Sequence, residues 1–209
     1  MTLIRLNTLA VLPILVATAI TLKASAVGVD STTGSPNTTR DSVVVFNEIH
    51  YHPAGNNDTL EYVELYNQMA VNVDLSNWRI DGVDFDFPEG TVIDARSYLT
   101  IAKVPANYAG ALGPYNGTLS NSGETLRLIN NNRAFRTTAG AGPTGAISDS
   151  LESRRIMDEI TYGDTYPWPF SPDGSGSTLA KIDPATGSAH PQNWTHSTAI
   201  NGTPGAANV

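Results

Sequence analysis

The segment EYVELYN, residues 61–67, places two glutamates inside a run of residues that otherwise favours a buried β-strand. Side chains of an extended chain alternate between two faces, so Glu61 shares a face with Val63 while Glu64 lies on the opposite face. The two carboxylates therefore point in opposite directions. A glycosidase needs two carboxyl groups facing each other at about 5–9.5 Å, and this spacing alone does not provide that arrangement.

A structural role explains these acids more simply than catalysis does. We interpret Glu61, at the mouth of the strand, as an acceptor for backbone N–H groups of the adjacent turn, and Glu64 as a solvated residue between two tyrosines. Asn67 ends the strand, where its amide is expected to start an Asx turn. A catalytic interpretation would require Glu48 to supply a partner from the neighbouring strand.

The rest of the chain has the same short-strand character. No segment carries a sustained apolar stripe with the 3.6-residue period of a helix, and clusters of Gly, Pro, Asn, Asp and Ser separate the β-like runs. This pattern predicts an all-β fold, either an antiparallel sandwich or a small barrel. The runs are SVVVFNEI, LEYVELYN, WRIDGVDFDF, SYLTIAKV, ETLRLIN, RIMDEITY and STLAKI. Trp78 is expected to fill the space between the two sheets.

The order of several short motifs resembles the lamin tail domain as it occurs in bacterial secreted proteins. They are FNEI (46–49), EYVELYN (61–67), LSNW (75–78), FPEGTVI (87–93), SNSGETLRL (120–128), ITYG (160–163), YPWP (166–169), GSGSTLAKI (from Gly174), QNW (192–194) and GTPGAAN (202–208). The resemblance covers Asp41 to Asn208 and implies an immunoglobulin-like antiparallel β-sandwich that binds or scaffolds and does not catalyse.

The same resemblance implies a set of structural signature residues. They are Glu48, Glu61, Glu64, Asn67, Trp78, Gly123, Trp168, Trp194, Gly202, Pro204 and Gly205. Two departures from the family pattern put local turn conformation in doubt. Asn77 stands where a glycine is usual, and Asp94-Ala95-Arg96 replaces a customary Pro-Gly.

The chain divides into three predicted parts. Residues 1–26 have the features of a secretory signal peptide, with an apolar run from Leu9 to Leu22 and an A-x-A cleavage site ending at Ala26. Residues 27–41 are small and polar and predict a flexible linker. Residues 42–208 form the domain, with a glycine-rich surface insertion at about 134–153. We therefore expect a secreted protein, extracellular or periplasmic, without a membrane span in its mature form.

Charge argues against nucleic-acid partners. The chain has a formal charge of −8, and removal of the signal peptide with Arg5 and Lys23 leaves 10 basic and 20 acidic residues, a charge of −10. Net acidity opposes the attraction of phosphate, so the scattered arginines are interpreted as solvated loop charges. Cysteine is absent, so the domain depends on its core and not on disulfides.

Metal-ligand patterns in the sequence are weak, and no cofactor is predicted. His50 and His52 project from the same face of an extended chain and could combine with a carboxylate in an open metal site, but no third ligand is fixed by spacing. Asp84 and Asp86 offer oxygens for a structural calcium ion, although strand alternation with buried neighbours already explains them. We interpret all four as candidates only.

The loop YPWPF, residues 166–170, is the candidate ligand platform. Tyr166 and Trp168 could contact a sugar or another protein, although packing in the core or at its edge is favoured for so large a ring as that of Trp168.

The function expected from the sequence is therefore that of a non-catalytic, secreted binding or scaffolding module. It would mediate protein–protein or cell-surface attachment. The alternatives are a carbohydrate-binding or calcium-dependent accessory module and a secreted metal-dependent hydrolase using Glu48, Glu61 and the histidine pair.

Overall fold

A computed structural model of the chain describes residues 42–131 and 154–209, and in these ranges the regular structure consists of β-strands and short 3₁₀ turns. The strands are β1 (Val44–His50), β2 (Tyr62–Asn67), β3 (Val73–Asp74), β4 (Arg79–Asp81), β5 (Phe85–Asp86), β6 (Val92–Ile93), β7 (Tyr98–Ala102), β8 (Gly123–Asn131), β9 (Arg154–Gly163), β10 (Leu179–Lys181) and β11 (Trp194–His196). The 3₁₀ turns are Ala54–Asn56, Asp58–Leu60, Pro105–Asn107 and Pro191–Asn193.

Two sheets form the sandwich. The first has the order β11-β10-β1-β2-β7 and the second the order β5-β4-β8-β9, while β3 and β6 make a small ribbon. The strands of these sheets pair antiparallel throughout. The all-β antiparallel sandwich predicted from the sequence is therefore confirmed. Strands β3, β6 and β11 were not predicted, because two or three residues are too few to show alternation.

The core lies between the two large sheets. It combines Phe46 and Leu65 of the first sheet with Ile80 and Leu126 of the second, and all four are fully buried. Trp78 belongs to the same cluster, as expected. Each fully buried apolar side chain of this size contributes about 1.5–3 kcal/mol of transfer free energy, so this layer is the main source of stability.

Strand β1 contains a bulge that decides which side chains enter the core. The register with β2 shifts between Phe46 and Glu48, which leaves Asn47 as an extra residue. A bulge of this kind changes the alternation of faces. Phe46 and Ile49 consequently both pack in the core, while Glu48 faces outward, directly opposite Glu64 of β2.

The run WRIDGVDFDF is a hairpin and not the single strand that was predicted. It forms β4 and β5, which pair antiparallel through a turn containing Gly82 and Asp84, both with positive φ. The predicted alternation nevertheless holds, because Val83 and Phe85 are buried whereas Asp84 and Asp86 are exposed.

The two departures from the family pattern retain the turn conformation that glycine would favour. Asn77 has φ of 61° and Arg96 has φ of 54°, both in the left-handed region. Asparagine enters this region at little cost, whereas arginine does so less readily. The turns are therefore preserved despite the changes in sequence.

The predicted signal peptide, linker and insertion (1–26, 27–41 and about 134–153) lie outside the described residues. Within the described ranges, no helix has the length and apolar character required to cross a bilayer.

A pair of identical substitutions tests where the core lies. Ile80→Ala removes a fully buried side chain and should lower the free energy of unfolding by about 2–5 kcal/mol. Ile182→Ala makes the same change at a side chain that is 65% exposed and should stay within about 0.5 kcal/mol of wild type. Urea unfolding of both variants measures the difference, and equal losses would contradict the assignment of the core.

Candidate functional site

Two glutamates lie side by side on the outer face of the first sheet. Glu48 of β1 is directly opposite Glu64 of β2, and both side chains are fully buried. Like charges directly opposite each other in a sheet are destabilising, and a buried charge without hydrogen bonds is costly. The pair therefore requires a set of donors.

Some of these donors come from the C-terminal tail, which we define as residues 201–209. The backbone N–H of Thr203 donates to Glu48 Oε2 at 3.1 Å, and the backbone N–H of Gly205 donates to Glu64 Oε2. The tail is also held by Tyr62, whose hydroxyl donates to the Asn201 carbonyl at 3.2 Å. The tail thus lies against the outer face of the sheet at the acid pair and supplies backbone donors to both acids.

Side chains of the sheet itself complete the shell. Thr178 donates its hydroxyl proton to Glu48. Thr100 donates to Glu64 Oε2 at 3.0 Å, and Asn47 donates to Glu64 Oε1 at 2.9 Å. Asn47 also donates to the Asn208 side-chain oxygen at 3.0 Å, so the bulged residue links the acid pair to the end of the tail.

Burial dominates the titration of these acids. It raises the pKa of Glu64 to about 7 and also raises the pKa of Glu48, while the hydrogen-bond donors act in the opposite direction. The negative charge of Glu48 adds to the upward shift at Glu64. A carboxyl group that is protonated near neutrality has the pKa of an acid catalyst. Here, however, its oxygens are occupied by structural donors.

The expectation that Glu64 is solvated is wrong. The side chain is fully buried because the tail and the neighbouring strands cover a sheet face that the local sequence pattern assigned to solvent. The interpretation of Asn67 is confirmed. Asn67 accepts the Met69 N–H at 2.9 Å, which forms the predicted Asx turn, and its amide donates to three backbone carbonyls.

Glu61 lies on the inner face, at the edge of the core. Its Oε2 accepts the backbone N–H of Leu119 at 3.2 Å and the hydroxyl of Tyr115 at 3.1 Å, and Lys103 Nζ lies 3.5 Å away. Glu61 therefore does accept a backbone N–H, but the donor belongs to a distant segment and not to the adjacent turn. Its carboxylate and that of Glu64 do not face each other.

The two histidines occupy separate environments, contrary to the arrangement expected for an extended chain. His50 is fully buried at the end of β1, with Nδ1 2.9 Å from the Leu60 carbonyl, and burial lowers its pKa to about 4. His52 lies in the following loop, with Nδ1 2.6 Å from Asp173 and Nε2 2.7 Å from Asn56. Across residues 42–131 and 154–209, no group of three or more His, Asp or Glu side chains is placed to hold a metal ion.

The two candidate calcium ligands lie on the second sheet and its turn. Asp84 is exposed in the β4–β5 turn, and its side chain accepts a long bond of 3.4 Å from Asn116. Asp86 is exposed on β5, where its strand partner is Arg79. The structure does not bring these acids together with the histidines.

Sequence reasoning missed a buried polar cluster between β9 and β10. Asp158 Oδ2 accepts the Phe46 N–H at 2.8 Å and the hydroxyl of Ser188, while Lys181 donates to the Thr186 carbonyl. Burial lowers the pKa of Lys181 to about 8 and raises that of Asp158. No local signal marks Asp158, since its partners Phe46 and Ser188 lie far from it in the chain. The Asp158 bond connects β9 of the second sheet to β1 of the first.

The aromatic loop, residues 164–170, presents two rings to solvent. Tyr166 is 84% exposed and Phe170 is 66% exposed. Trp168, between them, is buried against Gly163 and lies with its ring centroid 6.5 Å from that of Trp194. The predicted platform therefore keeps Tyr166 but not Trp168, which packs in the core as favoured. Phe170 was missed, although its position in a proline-flanked loop was a usable signal.

The remaining signature residues are buried tryptophans, a proline of the tail and glycines in turns or tight contacts. Trp78 and Trp194 are buried, and Pro204 lies in the C-terminal tail. Three glycines have positive φ, namely Gly123, Gly202 and Gly205.

Comparison with known proteins gives a match to one family. The model of the family described as Lamin Tail Domain matches residues 37–163, which is more than half of the chain. No significant match to the chain is found among curated proteins or among solved structures. The family match ends before the aromatic loop, strands β10 and β11 and the C-terminal tail, so the wider resemblance up to Asn208 stays a prediction.

Two glycines of the tail provide a test of its packing. A Cβ atom at Gly202 would overlap the Tyr62 hydroxyl and the Glu48 carboxylate, whereas one at Gly205 would meet no atom within 4 Å. Both residues have positive φ, so each alanine variant should lose about 1–2 kcal/mol from backbone strain. Gly202→Ala should lose about 1–3 kcal/mol more from overpacking. Urea unfolding measures both, and equal losses would show that the tail does not pack on Glu48.

The acid pair gives a testable dependence on pH. Between pH 4.5 and about 7 the folded protein retains the Glu64 proton while the unfolded chain releases it, so stability should fall as pH rises through this window. The free energy of unfolding should fall by on the order of 3 kcal/mol across this window because of Glu64, and this loss should stay constant above pH 7. The variant Glu64→Gln should lack this part of the decline.

The measurement is urea unfolding of both proteins from pH 4 to 8, with circular dichroism as the control for retained structure. The difference between the two profiles reports Glu64 together with its coupling to Glu48, because Glu61 and Asp158, which also have raised pKa values, are present in both proteins. Parallel profiles for wild type and variant would contradict the assignment of a raised pKa to Glu64.

Proposed function

Because the chain belongs to the Lamin Tail Domain family, a family of immunoglobulin-like modules, we propose that it is a secreted, non-catalytic binding module that attaches to another secreted or cell-surface protein. The observation that carries this proposal is the exposed aromatic pair Tyr166 and Phe170 on an otherwise well-packed domain. Exposed aromatic rings are enriched at protein interfaces, since they bury a large area at low entropy cost.

The aromatic loop has the rigidity that a binding surface needs. Trp168 anchors it in the core, and its own backbone N–H donates to the Thr165 carbonyl at 3.0 Å. At the C-terminal end of the loop, the Asp173 N–H donates to the Phe170 carbonyl at 3.1 Å, and the Gly174 N–H donates to the His52 carbonyl at 3.1 Å. A surface held in this way loses little conformational entropy on binding, which favours affinity.

The buried acids support a binding role over a catalytic one. Glu48, Glu61 and Glu64 are fully buried, and each accepts hydrogen bonds from backbone N–H groups or neighbouring side chains. A hydrolase using Glu48, Glu61 and the histidine pair needs these groups to converge on a site that substrate can enter. His50 and His52 instead have different partners, so the geometry favours an architectural role for the acids.

We propose export through the N-terminal 26 residues, with residues 27–41 separating the cleavage site from the domain. The proposal rests on the apolar run and the A-x-A pattern of the sequence. The mass of the protein recovered outside the cell should correspond to a chain that begins at Val27.

A carbohydrate-binding module is the second candidate. The ring of Tyr166 is exposed enough to stack on a sugar, and it was part of the platform predicted from the sequence. Retention of the domain on insoluble polysaccharide, without a protein partner, would favour this function.

The proposed attachment is tested with two matched double variants. Tyr166→Ser with Phe170→Ser removes the exposed aromatic pair, and Val71→Ser with Val92→Ser removes exposed apolar side chains elsewhere. The immobilised domain is exposed to the extracellular fraction of the producing organism, and a retained protein is identified by mass spectrometry, purified and titrated directly. We expect the aromatic variant to lose at least about tenfold in affinity and the valine variant to bind as wild type does.

Two outcomes would overturn the proposal. One is hydrolytic turnover by the purified domain that disappears with Glu48→Gln. The other is equal binding of the partner by the aromatic variant and the wild type. Circular dichroism and urea unfolding check that all variants remain folded, as expected for changes at exposed positions.

A further inference from the structure

The surroundings of the aromatic loop are acidic. No lysine or arginine occurs from residue 156 to residue 180, a stretch that contains the whole loop. Asp164 lies at its start and Asp173 just beyond its end, and Asp173 is exposed. We call these two acids the rim of the loop, and the net charge of the chain is negative as well. A ligand for the loop therefore meets aromatic rings bordered by carboxylates.

The charges of the two carboxylates act on the same buried hydroxyl. Tyr51 is 1% exposed, and its hydroxyl has no hydrogen-bond partner among the described residues. The negative charges of Asp173 and Asp164 both act on this hydroxyl and, together with burial, raise the pKa of Tyr51. Both acids thus add negative charge on the side of the domain that carries the loop.

His52 lies beside Asp173, and both of its ring nitrogens already have partners. Its ring nitrogens are bonded to Asp173 at 2.6 Å and to Asn56 at 2.7 Å, and Asp58 adds a further negative charge nearby. Asp164 and Asp173 are thus the acids of the loop and its end, and His52 is bonded to Asp173. Electrostatic complementarity favours a cationic partner.

We propose that the aromatic loop binds an arginine-bearing segment of the partner protein, with a guanidinium stacked on Tyr166 and paired with Asp164, since Asp173 is already bonded to His52. This inference rests on the proposed function, because it names the chemistry of the partner that the same surface takes. A guanidinium both stacks on an aromatic face and pairs with a planar carboxylate, whereas an ammonium group only supplies a point charge. Arginine therefore matches both features of the surface.

The test uses a synthetic peptide of alternating arginine and glycine, with lysine–glycine and glutamate–glycine peptides of the same length as comparisons. Each peptide is titrated into the ¹⁵N-labelled domain while amide shifts are followed by NMR. The arginine peptide should shift amides of residues 164–174 and of His52, bind more tightly than the lysine peptide, and weaken with added salt. The glutamate peptide should cause no shifts there.

Variants show whether the peptide binds at the aromatic loop or at any acidic part of the surface. Tyr166→Ser and Asp164→Asn should each weaken arginine-peptide binding by about three- to tenfold. The control variant Asp86→Asn changes an exposed acid on β5 and should leave the binding unchanged. Shifts spread over all acidic surfaces, or equal binding by the Tyr166→Ser variant, would overturn the inference. If the arginine peptide fails while a natural partner still requires Tyr166 and Phe170, the attachment function stands and only the cationic chemistry is wrong.

Discussion

The pairing of two buried glutamates with backbone N–H groups of the C-terminal tail is the constraint on which the outer half of this domain depends. Glu48 and Glu64 lie directly opposite each other, a position that would be unfavourable without donors. The N–H groups of Thr203 and Gly205 meet that need, and in doing so they fix the path of the tail. Strands β1 and β2 of the first sheet are therefore buried on both faces.

This arrangement explains why Glu48, Glu61 and Glu64 do not form an open catalytic or metal-binding site. Each carboxylate accepts hydrogen bonds from surrounding segments, and His50, which could have joined them, is buried in neutral form beside the Leu60 carbonyl. The family match covers the two glutamates but ends before the tail that satisfies them. The structure shows that residues beyond the match are part of the same packed unit, since β10 and β11 extend the sheet that carries Glu48.

The exposed part of the molecule has a different chemistry from the buried part. Inside, carboxylates serve as acceptors for backbone groups, while at the aromatic loop Asp164 and Asp173 remain at the surface beside Tyr166 and Phe170. Trp168 links the two regions, because its ring packs in the core while its neighbours project outward. A stable sandwich with a rigid, acidic and aromatic loop is the physical basis for the attachment role proposed for this lamin tail domain.

The sequence by itself determined the strand-rich class, the inner faces of the strands and the turn at Asn67, because alternation and turn chemistry act between residues a few positions apart. It also pointed to Tyr166 as an exposed aromatic. Only the tertiary structure decided that Glu64 is buried, that His50 and His52 separate, and that Asp158 joins the two sheets. These outcomes depend on the bulge at Asn47 and on contacts between segments more than a hundred residues apart, such as Glu48 with Thr203 and Phe46 with Asp158. Local periodicity carries no information about which distant segment will cover a given face.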